Sequence, residues 1–130
     1  MIAIARWAHL VTAWLYVAGV LLQGYLAGVA LAQLGGSGDF ATHVGIGYSL
    51  MGLLALAVPV FAIIGRFPRA QIGWSGLLLL LYIVQTVLPV LRSSSPAIAA
   101  LHPATAMIMF VLGIVVAVAA RRYMTATASA

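Results

Sequence analysis

Four uninterrupted apolar segments, at about 4–34, 42–64, 71–91 and 99–120, take up most of this chain of 130 residues. A helix needs about 20 apolar residues to cross the hydrocarbon of a bilayer, and each segment meets that length. Lipid offers an open backbone no hydrogen-bonding partner, so such segments are restricted to helices or closed barrels. Charged residues are only 5% of the chain, against about a quarter in soluble domains. The expectation is an all-α integral membrane protein, a single four-helix up-down-up-down domain covering residues 1–130. The first segment is longer than one crossing requires, which predicts tilt or an extramembrane turn. Ala30-Leu31-Ala32 has the small-residue form of a signal cleavage site. The apolar stretch before it far exceeds a signal-peptide core of about 7–15 residues, so it is read as a retained span.

The breaks between segments carry turn-forming residues. "GGSGDF" at 35–40 is glycine-rich, "GRFPR" at 65–69 is basic with a proline, and "RSSSP" at 92–96 is polar. Connections this short make consecutive helices antiparallel neighbours. Arg6, Arg66, Arg69, Arg121 and Arg122 then fall at one end, and Arg92 with the single acid, Asp39, at the other. The positive-inside rule predicts cytoplasmic termini, outward loops at 35–42 and 92–99, and residence in the cell's inner membrane. The net charge of +5 is read as this topology signal, not as a nucleic-acid-binding face.

Polar residues inside a membrane are costly and therefore candidates for function. His43 opens the second helix and His102 the fourth, so both imidazoles are expected near the outer face, on diagonal helices of the bundle. Gln23 and Gln85 fall in the outer halves of the first and third helices. The order Gln23…His43 and Gln85…His102, spaced 20 and 17 residues, reads as a short internal repeat of one hairpin, an arrangement that often builds a site between the halves. Steps of three and four place His9, Thr12, Tyr16, Gly19 and Gln23 on one inward stripe. The same steps place Gln71, Trp74, Leu78, Tyr82 and Gln85 on another. Gly47 and Ala106, one turn below each histidine, leave room for a flat ligand or for close helix packing.

Two neutral imidazoles meeting in an apolar bundle suit the axial positions of a haem iron. The reading is a b-type haem held by His43 and His102. Arg92, the only outward arginine, is the candidate propionate partner, with Ser93, Ser94 and Ser95 as further donors. Gln23, Gln85 and Tyr48 are expected to orient the imidazoles or meet the porphyrin edge. His9 has no histidine at its level and is not assigned a haem. Met51, Met107 and Met109 are read as packing. Trp7 and Trp74 are read as interfacial, and Pro59 and Pro89 as kinks. Gly24 and Gly28 form a GxxxG pair, which leaves a homo-oligomer open.

No cysteine is present, which excludes disulfides, thiolate metal sites and covalent haem attachment. There is no embedded carboxylate for a proton relay, no nucleophile–base pair and no phosphate loop, so hydrolase and transferase chemistry are not expected. Two function classes stay open besides the electron-transfer or haem-handling protein, which would exchange electrons with a quinone or a larger membrane complex. One is a cofactor-free accessory subunit of a respiratory or transport complex. The other is a binder of a lipid or small molecule in the same outer cavity.

With "THVGIGYSL" at 42–50, "LHPATAMIMF" at 101–110 and Gln23 and Gln85 upstream, the chain resembles an uncharacterised family of small four-helix bacterial membrane proteins. Its histidine layout is similar to one half-bundle of haem A synthase, and the "LHP" stretch to b-type cytochromes. The first likeness implies haem ligation by His43 and His102. The paired cysteines and catalytic glutamate of the synthase are absent, so its reaction is not implied.

Overall fold

The computed structural model describes residues 1–128. Its elements are α1 (Ile2–Ala30), a 3₁₀ turn (Ala32–Leu34), α2 (Ala41–Ile46), a π-helical turn (Gly47–Met51), α3 (Gly52–Ile64), α4 (Arg69–Val87), a 3₁₀ segment (Leu88–Arg92), α5 (Pro96–Ala99) and α6 (Leu101–Ala128). They compose four continuous helical spans long and apolar enough to cross a membrane: Ile2–Ala30, Ala41–Ile64, Arg69–Arg92 and Pro96–Thr127. Only 17–33% of each span's most apolar stretch is buried within the bundle. Most large apolar side chains, Trp7, Trp14, Leu53 and Met107 among them, therefore face outward, as they do when the surrounding solvent is lipid.

The first helix stops at Ala30, short of the expected 34, because three glycines shape the chain there. Gly35 and Gly38 have φ of 84° and 80°, a left-handed conformation that costs glycine little. Gly36 packs so closely on the Val29 carbonyl that a Cβ would overlap it. The Asp39 carboxylate accepts the Ala41 N–H at 2.8 Å and so ties down the start of α2. At the opposite end, Phe67 tucks into the bundle with its N–H donating to the Ala62 carbonyl at 3.1 Å, and Pro68 precedes α4. α3 continues through Pro59. At Pro89 the third span tightens into the 3₁₀ segment instead. The fourth span extends well past residue 120.

α1 packs on α3 and α6, and α4 packs on the same two helices. Spans one and three are thus one diagonal pair, and spans two and four the other. Tyr16, Leu78, Val58 and Val116 are fully buried on the shared axis with Met51 and Met109 above them; Leu10, Ala62, Phe67 and Ala120 form a smaller cluster toward the arginine-rich end. Trp74 faces outward, 49% exposed, and Ser75 takes the inward place instead. In lipid both faces of a helix are apolar, so the small or polar residue marks the inward side, not the large one. Met107 likewise faces outward, whereas Met51 and Met109 are core residues.

Candidate functional site

Polar side chains gather in the bundle at two levels. Toward the arginine-rich end His9, fully buried, donates from Nδ1–H to the Val58 carbonyl at 2.9 Å. Gln71 Nε2 donates one hydrogen to His9 Nε2 at 2.9 Å and the other to the Val116 carbonyl at 2.8 Å. A carbonyl only accepts, so Nδ1 carries the imidazole proton and Nε2 is left to receive the amide. The network touches all four spans and satisfies both ring nitrogens. Phe67 covers the imidazole, ring centres 4.6 Å apart, and Ser75 donates to the Gln71 carbonyl at 2.8 Å. Arg6 closes this end, donating from Nε to the Gly65 carbonyl at 3.0 Å and lying over the Tyr123 ring. In the sequence, the signal of this pair is that His9 and Gln71 each open an inward stripe at the same end of the bundle.

The outer level is built differently. His43 Nδ1–H donates to the main-chain carbonyl of Gln23 at 3.1 Å, and His102 Nδ1–H to that of Gln85 at 3.1 Å. The two hairpins therefore repeat one contact. Each bond fixes its imidazole as the Nδ1–H tautomer and leaves Nε2 with a free lone pair, the state in which histidine ligates metals. The two rings come together across the diagonal, centres 6.2 Å apart and planes at 70°. Phe40 meets the edge of His43 from outside.

Below and beside the rings is a cavity of about 180 Å³, open on one side and lined from all four spans. Its wall includes Gln23, His43, Gly47, Tyr48, Gln85 and His102, six of the seven residues proposed from sequence, and also Ala106, Tyr82, Met51 and Met109. Arg92 lies outside that wall, exposed in the 3₁₀ segment a turn beyond Pro89. Ser93 and Ser94 are exposed beside it, Ser94 donating to the Leu91 carbonyl.

The glutamine side chains distinguish this level further. Gln23 Nε2 and Oε1 and Gln85 Oε1 are buried with no hydrogen-bond partner, as is Tyr16 Oη. A buried polar atom left unmade costs about 1–3 kcal/mol, so unpaired amides on a cavity wall mark a place for a polar or metal-bearing occupant. Among the described residues no group of three or more His, Cys, Asp or Glu side chains could hold a bare metal ion. The nitrogen donors of this level are the two imidazole Nε2 atoms.

The fold and its outer cavity define an all-α bundle of four membrane-length helices with a paired-histidine level near one end. The chain belongs to DUF6220, a family of unknown function, whose model matches residues 23–91, just over half the chain. The match takes in Gln23, His43, Gly47, Tyr48, Tyr82 and Gln85. No curated protein and no solved structure matches the chain.

Proposed function

We propose that the protein is a membrane b-type haem protein of electron transfer or haem handling, with His43 and His102 as axial ligands. The observation that carries the reading is the separation of the two rings. Metal–imidazole bonds are about 2.0–2.1 Å long, and a ring centre lies about 1 Å behind its nitrogen, so two coaxial imidazoles on one ion hold their centres about 6 Å apart. The rings here stand 6.2 Å apart, each with Nδ1 already engaged. The likeness to a half-bundle of haem A synthase points to the same two ligands. Haem bound there would supply a one-electron iron couple.

The chain's own groups then have defined tasks. The Gln23 and Gln85 carbonyls orient the imidazoles through Nδ1. Gly47 leaves room for the Gln23 amide, which a Cβ there would meet at 3.6 Å, and Met51 and Met109 close the floor against the core. The two glutamine amides, on the other diagonal and on the cavity wall, would meet the edge of the bound group. A group held by both imidazoles would have no place left for a small substrate, which favours electron transfer over oxygen chemistry. Arg92 remains the proposed propionate partner, reached by rotation of its exposed side chain. The arginine-rich end faces the cytoplasm in this reading, as the positive-inside rule directs. The paired-histidine level then lies on the periplasmic or extracellular side of the inner membrane, within reach of a quinone or a larger respiratory complex.

The competing reading is a cofactor-free accessory subunit. It is favoured by the small cavity volume of about 180 Å³, below the about 300–1,000 Å³ usual for ligand pockets, so a macrocycle must use the open side. Purification from haem-supplied cells separates the two. The haem reading expects a red protein with about one haem per chain, a Soret band that shifts with dithionite, and conversion of that spectrum to a five-coordinate, high-spin form in His43→Ala and His102→Ala. A folded, colourless protein supports the accessory subunit.

A further inference from the structure

The two hairpins are not identical in one respect, and the difference falls directly under His43. His102 precedes the buried floor residue Met109 by seven positions, whereas His43 precedes its counterpart Met51 by eight. An α-helix turns about 100° per residue, so seven positions return to within about 20° of the same face, as His102 does. Eight positions of unbroken α-helix would turn His43 about 80° away from Met51 and from the stripe of Leu54, Ala55, Val58 and Ala62. His43 nevertheless meets His102 across the axis.

The extra residue is absorbed by the π-helical turn Gly47–Met51. A turn closed from i to i+5 takes in one residue more than an α-turn, and such turns inside α-helices are often found at functional sites. It turns the chain before it by about 100° relative to the chain after it and brings His43 back within about 20° of the inward stripe.

A π-turn leaves carbonyls without their usual helical partners, and here a side chain from the third span supplies one. The Tyr82 hydroxyl donates to the Gly47 carbonyl at 3.2 Å, with the Tyr48 carbonyl 3.5 Å away. Gly52, the first residue after the turn, makes room for it, since a Cβ there would lie 2.7 Å from Tyr82 Oη.

We propose that Tyr82 is a positioning residue for His43: its hydroxyl holds the π-turn that points this imidazole at His102. The chemical consequence rests on the reading of His43 as an iron ligand; the geometric claim does not. The fourth span needs no such device, so Tyr82 sets one ligand and not the other.

The test uses the full chain, whose lack of cysteine makes introduced thiols unique. In a His43→Cys/His102→Cys variant, a short bifunctional thiol reagent should bridge the two positions. Adding Tyr82→Phe should lower the bridging yield about fivefold, the equilibrium change expected from one ordinary hydrogen bond. Gly52→Ala, which crowds the hydroxyl while favouring helix, should act in the same direction and covers the case in which Tyr82→Phe fails to fold. Deleting Ser49 restores the seven-residue spacing, so it should make Tyr82→Phe silent. In the chain that keeps its histidines, Tyr82→Phe should move the oxidised haem spectrum toward the five-coordinate form expected of His43→Ala. Bridging that is indifferent to Tyr82→Phe and Gly52→Ala overturns the proposal, even in a red protein. Bridging that responds in a colourless protein sustains it and overturns the haem reading instead.

Discussion

The two polar levels use the same residue types to opposite ends. At the inner level His9 Nε2 takes one Gln71 amide hydrogen, and the remaining donors of the pair go to carbonyls of the second and fourth spans. Both imidazole nitrogens and the Gln71 amide nitrogen are engaged there, and the network pins all four spans at one depth. At the outer level the imidazoles are held only by Nδ1, the glutamine amides are unpaired and a cavity lies between them. A completed network fastens the helices; the same groups left incomplete are open to a further partner. Type and burial of a polar residue in a membrane thus do not separate the two roles. The count of unused donors and acceptors does.

That contrast can be broken by substitution. His9→Ala should have the largest effect on folding, a loss of about 4 kcal/mol from the cavity it opens and the Gln71 amide it strands. A detergent-solubilised thermal melt would register it. Gln71→Leu comes next, at about 2–3 kcal/mol, because it strands the buried His9 Nε2. The same change at the outer level should have the opposite sign. Gln23→Leu with Gln85→Leu removes unpaired atoms and should stabilise the haem-free protein by about 1–2 kcal/mol. The imidazoles should stay in place, since they bond to main-chain carbonyls that leucine also provides. Equal signs at the two levels would show that the distinction is wrong. The smallest effect belongs to His43→Ala, which gives up one half-buried hydrogen bond and should cost about 1 kcal/mol. It should convert the haem spectrum to the five-coordinate form all the same, so stability and colour would part company in a single variant.

Much of this arrangement was legible before any coordinates. Segment length and the scarcity of charge define the four spans. The positions of His43 and His102 at the starts of two parallel spans already bring them to one depth. The role of the glutamines was only half visible. It is their carbonyls that hold the rings, and a carbonyl is common to every residue, so sequence carries no signal of it. Trp74 and Ser75 exchanged places for a related reason: hydrophobic periodicity is weak where lipid replaces water outside the bundle. The π-turn left a trace in the eight-residue step from His43 to Met51 against seven from His102 to Met109. That trace becomes readable only once both methionines are known to share the floor.

The account turns on whether two imidazoles share one iron, and low-temperature electron paramagnetic resonance of the oxidised, purified protein tests this most directly. Ring planes fixed at 70° to each other predict a strongly anisotropic low-spin ferric signal, converted to high spin by His102→Ala. A high-spin signal in the unaltered protein, or haem whose signal is indifferent to both His43→Ala and His102→Ala, would contradict it.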